Sequence, residues 1–175
     1  MLCARFKIYL ADAAIAPAVR LKGKSILEDA AALGVATETA VFKHLYARYC
    51  AQNVRFSYWR GKREHEVDLV AEVGGELIPF EMKYRAQHTG ARKLKGLIEL
   101  CQAKRIARGY VVTKSLDDFG PTQGLPPPPP SAEPTAEPST TEIMRIPAPL
   151  LCYWMGATEL PADAERSPQR DDSER

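Results

Sequence analysis

A chain of 175 residues, 45% of them hydrophobic and 26% charged, is long enough for one domain with a buried core and some unstructured sequence. The formal net charge of +2 is too small to indicate a nucleic-acid or membrane partner by itself. No apolar run approaches the roughly 18 residues that span a bilayer, so we expect no membrane partner. The four cysteines are widely spaced without a CxxC pair, and the N-terminal residues do not resemble a secretory signal. We therefore expect reduced thiols and a cytoplasmic protein.

The N-terminal third predicts a strand and two helical stretches. Residues 6–10 (FKIYL) are typical of a short strand, and Asp12 can cap the helical stretch that follows. Over residues 33–50 an apolar stripe at helical spacing predicts an amphipathic helix. The stripe consists of Val35, Phe42, Leu45, Tyr46 and Tyr49. Glu38 lies on it, either at its edge, where the helix dipole favours a carboxylate, or at its centre, and the spacing does not decide between the two.

Three strands are predicted next, at residues 54–59, 66–71 and 77–84, with a turn at Gly74 and Gly75 before the third. In the third strand the aromatic and aliphatic side chains alternate with Glu81 and Lys83. Because successive side chains of a strand point to opposite faces, Glu81 and Lys83 are expected on the same face.

The remaining sequence divides into one further helix, two more elements and two unstructured segments. Apolar spacing predicts a helix around residues 94–101 and a strand at 110–113, and a strand–helix–strand order favours parallel pairing. We therefore predict an α/β domain over residues 1–120, with a mixed β-sheet flanked by helices. Residues 121–141 include five consecutive prolines and predict a disordered spacer. Residues 142–156 are expected to return to the domain as a terminal element, and residues 157–175 to form a disordered tail.

The chemistry of the chain is concentrated in Asp68, Glu81 and Lys83. Antiparallel neighbours joined by a tight turn bring Asp68 near Glu81, where two carboxylates repel each other by about 4 kcal/mol at 4 Å. A divalent cation removes this repulsion, and hard oxygen ligands suit Mg²⁺ or Mn²⁺. Lys83 on the same face would contact an attacking water or the charge that develops on a phosphate. Glu38 offers a third carboxylate to the metal. The alternative is that all of these are ordinary solvent-facing residues.

Two further groups of residues are candidates for binding. His65 and His88 are either metal ligands, general bases or simply exposed side chains. Basic residues follow the third strand and either line a phosphate-binding surface for DNA or form the solvated face of the second helix. The candidates for nucleic-acid binding are Arg85, Arg92, Lys93 and Lys95.

The sequence resembles a known family in five segments that span most of the chain. These are KIYLADAAI at 7–15, GVATET at 34–39, YWRGKREHEVDLV at 58–70, IPFEMK at 78–83 and IPAPLL at 146–151. They are similar to the C-terminal domain of unknown function that follows the ATPase core in prokaryotic AAA+ ATPases, which is related to the PD-(D/E)xK nuclease superfamily. The resemblance implies a restriction-endonuclease-like core with Glu38, Asp68, Glu81 and Lys83 at the positions of the superfamily's active-site pattern.

The chain departs from that family in two respects: the proline-rich segment is inserted before the last element, and the ATPase core is missing. We therefore expect either the C-terminal part of an AAA+ system, with a separate ATPase subunit as partner, or a decayed fragment. Two functions stay open from the sequence. One is a metal-dependent DNA nuclease, and the other is a noncatalytic interaction module that serves an ATPase.

Overall fold

The computed structural model describes residues 7–61, 65–84, 93–123 and 141–157. Its helices are α1 (Ile15–Val19), α2 (Ala30–Tyr49), α3 (Lys95–Lys104) and α4 (Ala148–Ala157). Its strands are β1 (Arg55–Arg60), β2 (Glu66–Val73), β3 (Glu76–Lys83), β4 (Arg108–Thr113), β5 (Gly120–Pro121) and β6 (Glu142–Pro147). Short 3₁₀ turns lie at Gly23–Leu27 and Cys50–Gln52. Within these residues no helix is long and apolar enough to cross a membrane.

The described strands form one mixed sheet in the order β1-β2-β3-β4-β6-β5. β1, β2 and β3 are an antiparallel meander, and positive φ angles at Gly74 (59°) and Gly75 (88°) form the turn between β2 and β3. α3 then carries the chain across to β4, which pairs parallel to β3. The predicted meander, crossover and mixed α/β class are therefore confirmed.

The sheet is covered on both faces, which gives the domain two apolar clusters. Residues of α3 pack with Val67, Val111 and Ile143 on one side, and residues of α2 and α4 pack with Leu69 and Phe80 on the other. A strand that is buried on both faces loses the polar and apolar alternation typical of an exposed sheet. This arrangement explains the nearly continuous burial from Val67 to Ala71 in β2, which is broken only at Asp68.

Two predictions for the N-terminal part are wrong in detail. Residues 7–10 are not a strand, although Asp12 does accept a hydrogen bond from the Ala14 backbone N–H (2.8 Å) just before α1. α2 forms as predicted, but its buried side chains are Thr39, Val41 and Leu45, whereas Val35 and Tyr46 of the predicted stripe are exposed. Because α2 is apolar on much of its circumference, its sequence does not determine which face meets α4 and the sheet.

The C-terminal apolar segment consists of two elements rather than one. β6 ends at Pro147 and α4 begins at Ala148, so that Pro149 occupies the first turn of the helix, where a missing backbone N–H is tolerated. Both elements pack on the domain, through Ile143 and Leu151. Most of the predicted spacer and nearly all of the predicted tail, residues 124–140 and 158–175, lie outside the described residues.

Gly96 allows α3 to approach β2 closely. A Cβ at this position would lie 2.5 Å from the backbone oxygen of Glu66. We expect Gly96→Ala to destabilise the domain by about 1–3 kcal/mol, because overpacking against backbone outweighs the gain of up to about 1 kcal/mol that alanine brings to a helix. Gly156→Ala in α4, where nothing lies within 4 Å, is the matched control. Urea unfolding checks both variants, and equal stability of the two would contradict the close approach.

Candidate metal and phosphate site

The site is built where the backbone pairing of β2 and β3 ends. Their antiparallel register runs from Val73 opposite Glu76 to Leu69 opposite Phe80. At Asp68, one residue before Leu69, a side chain takes the place of a backbone acceptor. The Met82 N–H donates a hydrogen bond to Asp68 Oδ2 at 2.9 Å. The irregular register between β1 and β2 falls at the same level of the sheet. Asp68 is thereby fixed beside Glu81.

Glu81 is a buried carboxylate of which only one oxygen has a polar partner among the described residues. Only 6% of the residue is exposed, and its Oε1 contacts the Lys83 ammonium. Its Oε2 is buried and accepts no hydrogen bond from the residues that the structure describes. Burial and the charge of Asp68 raise the pKa of Glu81 to about 7, against the opposing effects of Lys83 and of the Asp68 backbone N–H. A buried carboxylate oxygen without a partner next to a second carboxylate is the arrangement that a cation would complete.

Lys7 brings a positive charge to the other side of Asp68. Its Nζ lies 3.0 Å from Asp68 Oδ1, 3.1 Å from Glu66 Oε1 and 3.2 Å from Glu38 Oε1. Burial alone would lower the pKa of Lys7, but the charge and hydrogen bond of Asp68, with the charge of Glu38, raise it above its ordinary value. Four carboxylates therefore share two ammonium groups, those of Lys7 and Lys83.

Tyr9 ties the same N-terminal segment to Glu38. Its hydroxyl donates to Glu38 Oε1 at 2.7 Å, and its ring stacks on Phe42 with centroids 4.3 Å apart. Burial and this hydrogen bond raise the pKa of Tyr9. The contacts connect Glu38 of α2 to the strand residues of the site.

An aromatic cleft opens beside these charges. It has a volume of about 330 Å³ and meets the carboxylates at Asp68. Its lining residues are Lys7, Tyr9, Phe42, Phe56, Ser57, Tyr58, Asp68 and Leu69. A planar, apolar group bound in this cleft would lie next to the charged side chains.

The structure brings the four candidate site residues of the sequence into one region. Asp68, Glu81 and Lys83 lie at the end of the β2–β3 pairing, and Glu38 reaches them through Lys7 and Tyr9. Sequence reasoning did not single out Lys7, Tyr9 or Glu66. Lys7 and Tyr9 lie in the KIYLADAAI segment, and Glu66 lies two residues before Asp68 in EVD. All three residues therefore lie in segments that carry the family resemblance.

The candidate binding residues are distributed differently. His65 Nδ1 pairs with Glu99 Oε2 at 2.5 Å, so this ring is engaged by α3. Lys93 and Lys95 are exposed; Lys95 is the first residue of α3, and Lys93 lies two residues before it. Arg85, Arg92 and His88 lie outside the described residues.

Two carboxylates, those of Asp68 and Glu81, rather than three are available as ligands for a divalent cation. Within the described ranges, no group of three His, Cys, Asp or Glu residues is arranged to hold a metal ion. The oxygens of Glu38, Glu66 and Asp68 converge on an ammonium group instead. Mg²⁺ usually binds through one or two carboxylates and keeps several waters, so Asp68 with the unpartnered Oε2 of Glu81 is a sufficient pair.

The raised pKa of Glu81 predicts a specific pH dependence of stability in the metal-free protein. A carboxyl whose pKa is about 7 in the folded state and 4.5 in the unfolded state stabilises the fold below pH 4.5 and loses this contribution as pH rises to about 7. The loss is about 3 kcal/mol. Glu81→Gln, which stays neutral, should not show it. Urea unfolding of both proteins in a chelator checks the prediction, with Glu76→Gln as the control from the same strand. Parallel pH profiles of wild type and Glu81→Gln would contradict it.

Comparison with known families gives one match. The family described as domain of unknown function (DUF4143) matches residues 33–126, just over half of the chain. The chain belongs to this family. No curated protein and no solved structure matches the chain. The DUF4143 segment contains Glu38, Asp68, Glu81 and Lys83, whereas Lys7 and all of α4 lie outside it.

Proposed function

We propose that the DUF4143 domain of this chain binds Mg²⁺ or Mn²⁺ through Asp68 and Glu81 and hydrolyses phosphodiester bonds in DNA, as a PD-(D/E)xK-like nuclease. The observation that carries the proposal is Glu81 Oε2, a buried carboxylate oxygen without a partner in the described residues, beside a second carboxylate. A buried oxygen without a hydrogen bond destabilises the fold, and such groups are found mainly at functional sites. The resemblance of the surrounding sequence to that superfamily also supports a metal-dependent nuclease.

The roles of the residues follow from their positions. A bound divalent cation supplies a water of lowered pKa and charge neutralisation for the phosphate. Asp68 is held in place by the Met82 N–H, and Glu81 by β3, so neither ligand has to be ordered on binding. Lys83 projects from the same strand face as Glu81 and is placed to donate to the phosphate or to the attacking water.

The reaction is a hydrolysis in which the water oxygen forms a bond to phosphorus and the bond from phosphorus to the leaving sugar oxygen breaks. One water proton passes to solvent, and the leaving sugar oxygen takes a proton from solvent. In this proposal the aromatic cleft receives a sugar or a base next to the scissile phosphate. Lys93 and Lys95 are proposed as contacts to the DNA backbone, because both are exposed cations.

The proposal is tested by incubating plasmid DNA with the purified chain in Mg²⁺ and in Mn²⁺. We expect nicking or cleavage by the wild-type protein, loss of it in a chelator, and loss of it in Asp68→Ala. Glu72→Ala changes a carboxylate of the same strand that pairs with Arg55 outside the site, and it is expected to cleave normally. Cleavage that persists in Asp68→Ala would overturn the proposal.

A second candidate function is a noncatalytic module that serves a separate AAA+ ATPase subunit. The observation that favours it is Lys7, whose ammonium already occupies the centre of the Glu38, Glu66 and Asp68 oxygens. A nuclease fold that had lost its metal could retain such an internal ion-pair network. A neighbouring reading frame that encodes an ATPase core, with copurification of its product, would support this function. A wild-type protein that binds Mn²⁺ and cleaves DNA would contradict it.

A further inference from the structure

Lys7 holds the position that a cation would be expected to take among the carboxylates. Its three oxygen partners come from two different elements, Glu38 from α2 and Glu66 and Asp68 from β2. The three distances span only 3.0 to 3.2 Å. A single ammonium thus neutralises part of the charge of three carboxylates. It acts as an internal counter-cation.

The segment that carries Lys7 is attached through the side chains that face the site. Lys7 and Tyr9 are partly buried, while the intervening Ile8 is 78% exposed and Leu10 is 41% exposed. The hydrogen bonds and ion pairs of Lys7 and Tyr9 go to Glu38, Glu66 and Asp68. Two ring contacts add to them: Tyr9 stacks on Phe42, and the Lys7 ammonium lies over the Tyr58 ring. The ion pairs that attach Lys7 therefore depend on the negative charge of the site.

Lys7 and a metal ion would compete for the carboxylate of Asp68. Its Oδ2 accepts the Met82 N–H, and its Oδ1 contacts Lys7. A divalent cation bound to Asp68 and Glu81 would have to share or take Oδ1, and it would lie within a few ångströms of the ammonium. Two cations at that separation in a partly buried site repel each other strongly.

We propose that Lys7 is the resident cation of the metal-free site and that a divalent cation competes with it, so that metal binding releases the segment at residues 7–10. This inference rests on the proposed function, because it requires the metal to bind at Asp68. It makes the N-terminal segment an internal inhibitor of metal loading.

The inference is tested by calorimetric titration of Mn²⁺ into the wild type, Lys7→Gln and Lys22→Gln. Lys7→Gln is expected to bind Mn²⁺ at least about tenfold more tightly than wild type, since it removes a competing charge. Lys22 pairs with Asp29 at the start of α2, and Lys22→Gln should stay within about twofold of wild type. Equal or weaker binding by Lys7→Gln, with wild type binding normally, overturns the inference and leaves the proposed function intact. Absence of Mn²⁺ binding in both proteins overturns the proposed function and this inference with it.

A second measurement uses the wild type and does not depend on the folding of a variant. The Lys7 amine is held by three carboxylates, so it should react slowly with an amine-acylating reagent, as read by mass spectrometry of the peptide. Saturating Mn²⁺ is expected to raise its acylation rate severalfold, while that of Lys22 stays unchanged. An acylation rate at Lys7 that Mn²⁺ leaves unchanged or lowers contradicts the release of the segment.

Discussion

Replacing Lys83 by alanine is expected to lower the rate of DNA cleavage by roughly 10²–10³-fold while Mn²⁺ affinity stays within about tenfold of wild type. The ammonium contacts Glu81 Oε1 in the metal-free protein, and Glu81 is buried in β3. A lysine acts on the phosphate or on the water rather than as a metal ligand, so its loss removes charge stabilisation without removing the cation. Cleavage assays and calorimetry on the same preparation separate the two effects.

Lys104→Ala is the matched control for this prediction, because Lys104 is an exposed lysine in the last turn of α3. It should cleave DNA at the wild-type rate. The metal-free Lys83→Ala protein is also expected to be less stable than wild type, since Glu81 loses the partner that opposes the increase in its pKa. Wild-type cleavage by Lys83→Ala would contradict the role assigned to this residue.

Asp68→Asn is expected to remove the stabilisation that Mn²⁺ confers while leaving the metal-free protein as stable as wild type or more stable. At free Mn²⁺ about 1,000-fold above Kd, the wild type should gain about 4 kcal/mol and the variant almost nothing. The asparagine oxygen can still accept the Met82 N–H, and the substitution removes one negative charge from a group of four carboxylates. Lys7 retains Glu38 and Glu66 as partners.

Thermal melting of Asp68→Asn and wild type, each with and without Mn²⁺, checks this prediction. If Asp68 is not a metal ligand, Mn²⁺ should shift the melting temperature of the variant and of the wild type equally. Glu72→Gln in the same strand should keep the full response to Mn²⁺. A full Mn²⁺ response in Asp68→Asn would contradict a metal site at this position.

The central part of the fold could be predicted from the sequence because local signals agree there. Gly74 and Gly75 mark the turn, and the alternation from Leu77 onward places Glu81 and Lys83 on one face of β3. The helix after β3 favours the parallel pairing of β4. Local periodicity was sufficient wherever the neighbouring element is also the neighbour in sequence.

The contacts of the N-terminal segment, residues 7–10, could not be predicted from local sequence patterns. The residues FKIYL alternate as a strand would, but the apolar Ile8 and Leu10 are exposed and the polar Lys7 and Tyr9 face the domain. The partners of Lys7 are 31 and 61 residues away at Glu38 and Asp68. Ion pairs between such distant residues follow from the tertiary fold, and the spacing of residues does not give them.

Metal binding by Asp68 and Glu81 together is the basis of the proposed function. Calorimetric titration of Mn²⁺ into the chelator-treated wild-type protein, Glu81→Ala and the same-strand control Glu76→Ala tests it directly. We expect about one Mn²⁺ per chain for the wild type and for Glu76→Ala, and no binding at this site for a folded Glu81→Ala protein. Wild-type protein that binds no Mn²⁺, or Glu81→Ala protein that binds it with unchanged stoichiometry and affinity, would contradict the claim.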